Sequence, residues 1–70
     1  MSFTLEQQIA CVKREIGFRK RAYPRFIVQD KMSQEQADRQ IATMEAVLGT
    51  LETLHEELVA KVNPSLPGIP

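Results

Sequence analysis

Seventy residues with nine Lys/Arg, nine Asp/Glu and a net charge of zero leave room for one small domain and argue against a generic polyanion binder. One cysteine excludes an internal disulfide, and a lone Cys with a lone His supplies no metal constellation. No apolar run approaches the roughly 18 residues of a membrane span, and the start MSFTLEQQ lacks the basic and apolar regions of a secretory signal. A protein away from the membrane, in a reducing cytoplasm, is expected.

The first helix is expected over residues 5–29. Thr4 is its N-cap, and Gln7 stands where its side chain can reach back to complete a capping box. Leu5, Ile9, Val12 and Ile16 follow at helical steps of three and four, and Tyr23 and Ile27 return to the same stripe. Arg19 occupies the interrupted step, where its aliphatic stem can cover apolar surface while the guanidinium reaches water. Pro24 removes the hydrogen bond to the Lys20 carbonyl, which predicts a kink near Lys20–Tyr23. The alternative is a break, with Pro24 opening a new short helix. The kink is preferred because Tyr23 and Ile27 keep phase with the residues before them.

A turn is expected over 30–33, with Asp30 as the helix-ending residue, since Asp tolerates left-handed geometry better than most. Ser33 and Gln36 repeat the capping box at the start of a second helix over 34–62, with Met32 and Ala37 at the flanking staple positions. Heptad spacing runs through Ala37, Ile41, Met44, Leu48, Leu51, His55, Leu58 and Val62, and Val47 and Leu54 widen it on one side. A two-helix seam needs only a narrow stripe, so the wider one predicts contact with a further helix. Asn63-Pro64 stops the helix. The segment 64–70 is Pro-rich and is expected to be extended or disordered.

These elements predict an all-α fold: a two-helix antiparallel hairpin over 1–63 that dimerises into a four-helix bundle. Dimerisation is expected because a chain of this size buries only about 60% of its unfolded surface and two helices share one seam. Ile9, Val12, Ile16, Tyr23, Ile41, Met44, Leu48, Leu51 and Leu58 are the expected core and dimer residues. Residues 1–32 carry seven Lys/Arg against three Asp/Glu, a net of +4, and residues 33–70 carry two against six, a net of −4. Glu45, Glu52 and Glu56 can therefore pair with the basic helix, within or between chains.

Opposite the seam of the first helix, Cys11, Phe18 and Ala22 lie together beside Arg14, Arg21 and Arg25. An apolar strip edged with arginine is the best candidate for a partner-binding surface, since Arg and aromatic side chains dominate interface hot spots. A plainer reading has Phe18 and Cys11 packing on a second protomer and the arginines solvated. The basic run also invites nucleic-acid binding. It spreads around the helix without a recognition motif, however, and the acidic helix offsets its field. His55 is read as a boundary residue that packs its ring. No phosphate loop, nucleophile–base pair or ligand cluster is present, so neither an enzyme nor a cofactor is expected.

One string of residues carries a resemblance. Arg19-x-Arg21-Ala22-Tyr23-Pro24 is followed by Val28-x-x-Lys31-Met32-Ser33, then Ala37-x-x-Gln40-Ile41-x-x-Met44-x-Ala46. From about Glu15 to Leu51 the chain resembles a family of small helical early proteins of temperate phages, many of which carry Gly at the position of Asp30. That family includes a dimeric anti-quorum-sensing protein that inhibits a LuxR-type transcriptional activator by direct binding. The resemblance implies an anti-activator in the cytoplasm of a bacterial host, acting on a host transcriptional regulator. A nucleic-acid-associated accessory protein and a phage assembly subunit are the alternatives.

Overall fold

The computed structural model describes residues 2–62, which form two packed helices, α1 (Leu5–Val28) and α2 (Gln34–Val62), with no strand among them. The segment 64–70, expected to be extended, lies outside the described residues.

Both helices start on reciprocal side-chain bonds. The Gln7 amide donates to Thr4 Oγ1 at 3.0 Å, and the Thr4 amide donates to Gln7 Oε1 at 2.9 Å. Ser33 and Gln36 repeat the arrangement, at 3.0 and 2.9 Å. Each box satisfies two of the amides that a helix start leaves without intrahelical partners.

The end of α1 is equally local. The Asp30 amide donates to the Ile27 carbonyl at 3.0 Å and the Lys31 amide to the Phe26 carbonyl at 2.8 Å. With Gln29 as C-cap, these are the two bonds of a Schellman motif, which requires a left-handed residue just past the cap. Asp30 supplies it, with φ of 62°. Helix α1 continues through Pro24 as one element and ends at Val28, one residue before the expected end.

The core is small. Among the described residues, Ile16 and Ala37 are the buried hydrophobic ones, 7% and 2% exposed. Ile9, Val12, Tyr23, Ile41, Met44, Leu48 and Leu51 line the seam half-buried. Leu58, expected on the same seam, is 44% exposed in the single hairpin. It lies nearer the edge of α2, roughly 80° around the helix from Leu48.

Two ion pairs tie the helices along one edge of the seam. Lys20 Nζ lies 3.2 Å from Glu45 Oε2, and Lys13 Nζ lies 3.6 Å from Glu52 Oε2. Glu56 makes no ion pair within the chain among the described residues. No described helix is long and apolar enough to cross a membrane.

Candidate protein-binding surface

The arginine-edged strip lies on the outer side of α1, and helix periodicity places it there. Taking about 100° per residue, Cys11, Arg14, Phe18, Arg21, Ala22 and Arg25 fall on the side away from Ile16. The structure leaves Cys11, Arg14, Arg21 and Arg25 exposed and Ala22 half-buried. Phe18 is 55% exposed, a large apolar area to leave in water. With a rise of about 1.5 Å per residue, the line from Arg14 to Arg25 is about 16 Å long.

The charges along α1 divide into two groups. Lys13 and Lys20 reach across the seam to α2. Arg19 turns back along its own helix, with Nη1 2.6 Å from Glu15 Oε1. That hydrogen bond, set against a smaller desolvation cost and aided by Tyr23, raises the Arg19 guanidinium above its ordinary pKa. Arg14, Arg21 and Arg25 make no ion pair among the described residues. Gly17 leaves room beside the Arg21 guanidinium, whose Nη1 would lie 3.7 Å from a Cβ placed on that glycine. The lysines of the basic helix thus meet α2, while its outer arginines make no ion pair among the described residues.

A second surface, weakly marked in sequence, adjoins the strip. Phe3, Cys11, Val12 and Arg14 of the N-terminal half meet Val47 and Leu51 of α2 around a groove of about 650 Å³. The structure therefore brings Cys11 and Arg14 together with the apolar flank of α2, whereas Phe18, Arg21 and Arg25 lie further along α1 and do not line the groove. Phe3 escaped sequence reasoning because it precedes the first helical residue and belongs to no ladder. Its position just before the N-cap was the available signal, since apolar residues there often pack back on the first turns. Here Gln8 Nε2 donates to the Phe3 carbonyl at 3.0 Å, holding the backbone, and the ring stays 62% exposed. Phe26, also outside the ladder, is half-buried with its ring centroid 6.3 Å from that of Tyr23.

The Thr43 and Thr50 hydroxyls donate to carbonyls one turn back, Arg39 and Ala46, at 2.8 and 3.1 Å. Among the described residues no three His, Cys, Asp or Glu side chains converge on a point that could hold a metal ion. What the surface offers is an aromatic ring between free guanidiniums, next to an apolar groove. Comparison with protein families, curated proteins and solved structures finds no match to this chain.

Proposed function

We propose that the chain is a non-enzymatic inhibitor that binds a host protein, with a LuxR-type quorum-sensing activator as the expected target. The hairpin dimerises into a four-helix bundle in the host cytoplasm, and the outer face of α1 covers a surface the regulator needs to hold DNA. The observation that carries the binding reading is Phe18, 55% exposed between arginines that make no ion pair among the described residues. An exposed aromatic among guanidiniums stabilises a protein contact by apolar burial and by bidentate bonds to carboxylates. The choice of target rests on the Tyr23-Pro24 and Lys31-Met32-Ser33 resemblance. Titrating the chain into a LuxR-type activator bound to its promoter tests it. Release of the DNA is expected, and an activator that holds its promoter at saturating chain would sink the target assignment.

Nucleic-acid binding is the second reading, supported by the same unpaired Arg14, Arg21 and Arg25. Three phosphate contacts would give a log–log salt slope of roughly −2.7 on duplex DNA. Absence of binding at low salt removes this reading.

A further inference from the structure

The two edges of the hairpin are unlike. Taking Leu48 as the seam and about 100° per residue, Glu45 and Glu52 lie roughly 40–60° to one side of α2, where Lys20 and Lys13 meet them. Val47, Leu51, Leu54 and Leu58 lie roughly 60–120° to the other side. None of these four is charged, and Val47, Leu54 and Leu58 are 43, 43 and 44% exposed. From α1 and the segment before it, Phe3 and Cys11 reach the same flank, sharing a groove with Val47 and Leu51.

We infer that this flank is a homodimer interface whose occupant is the same flank of a second copy, with the two α2 helices antiparallel. Three observations favour a second copy. First, the hairpin's own buried core is Ile16 and Ala37, too little to hold 70 residues, so the free chain needs this face covered before it meets any other partner. Second, the stripe is self-complementary. Its steps of four, three and four read the same in both directions, so an antiparallel pair stacks Val47 on Leu58 and Leu51 on Leu54 about one two-fold axis. Third, the area is adequate. A 29-residue helix is about 43 Å long, and two helices side by side are about 20 Å wide, so one face covers roughly 850 Å². A standard interface buries about 800 Å² per partner.

The pairing reassigns one residue of the strip. Cys11 belongs to the dimer contact, and the outward surface keeps Arg14, Phe18, Arg21, Ala22 and Arg25, displayed once on each side of the bundle. The inference rests on the self-association within the proposed function. Its failure leaves target binding untouched, because promoter release and oligomeric state are read by separate experiments.

Sedimentation velocity of the full chain gives the first test. The expected species has twice the 8.0 kDa chain mass. Leu54→Glu should raise the dissociation constant at least 100-fold, whereas Val28→Glu, at an 86% exposed position near the turn, should leave it unchanged. Should Leu54→Glu also unfold, the pairing is read without it, by disulfide trapping in a Cys11→Ser background. Val47→Cys mixed with Leu58→Cys should cross-link, while neither links to itself, because like positions are about 16 Å apart along the paired helices. A wild-type chain that is monomeric and fully helical would overturn the inference. So would a Leu54→Glu chain that still dimerises, or self-linking at 47 or 58 that matches the mixed product.

Discussion

Lys20 Nζ lies 3.2 Å from Glu45 Oε2, and seven residues away on each helix, in opposite directions, Lys13 Nζ lies 3.6 Å from Glu52 Oε2. The opposite senses state the antiparallel register, and the heptad interval keeps both pairs on one edge. Exposed pairs of this kind contribute little energy singly. Their consequence is positional, since a slip of three or four residues would carry both lysines about 5 Å away from their glutamates. Reversing Lys20→Glu should destabilise the hairpin by less than about 1 kcal/mol, and adding Glu45→Lys should restore most of the loss. A double-mutant cycle at low and high salt checks this, and a coupling that does not shrink with salt would count against a surface pair.

Asp30 holds a left-handed φ of 62° at the position of the Schellman motif where glycine is most favoured. Asp30→Gly should relieve that geometry and stabilise the chain by about 0.5–1 kcal/mol. Thermal unfolding by circular dichroism is the measurement. A lower midpoint would mean that the aspartate side chain stabilises the turn more than its backbone geometry costs.

The cap of α2 is predicted to matter as much. Ser33→Ala removes the acceptor of the Gln36 amide and should cost about 1 kcal/mol. For a domain of this size that is a fall in midpoint of about 4–8 °C. Ser33→Asp should retain most of the stability, since its carboxylate accepts the same bond.

Ile16 is the larger of the two side chains buried among the described residues. Ile16→Ala should cost about 2–5 kcal/mol, comparable with the entire stability a core of this size supplies. Loss of the cooperative transition near room temperature is the expected result. Ile9→Ala, at a half-buried position, should keep a transition with a lowered midpoint.

On the outer strip the expectation reverses. Phe18→Ala and Arg21→Glu should change stability by no more than about 0.5 kcal/mol, as surface substitutions do. Each should weaken capture of the protein target at least tenfold if the strip carries the contact. Equal affinity for wild type and both variants, measured by titration calorimetry, would move the binding surface elsewhere.

The amino-acid sequence by itself determined the features that close within three or four residues. Thr4 with Gln7 and Ser33 with Gln36 announce two helix starts because each box joins a side chain to an amide one turn away. Asp30 could be read as the helix end because its tolerance for positive φ is intrinsic to the residue. The seam residues were legible from their spacing, and so was the strip around Phe18. Only the tertiary structure decided that Lys20 meets Glu45 and Lys13 meets Glu52. It also brought Phe3 and Cys11 to the groove walled by Val47 and Leu51, and left Leu58 44% exposed in the single hairpin. Those placements depend on the rotation and register of two helices packed against each other. Residues such as Lys20 with Glu45 and Lys13 with Glu52, far apart in the chain, set that rotation and register together, and no local pattern records it.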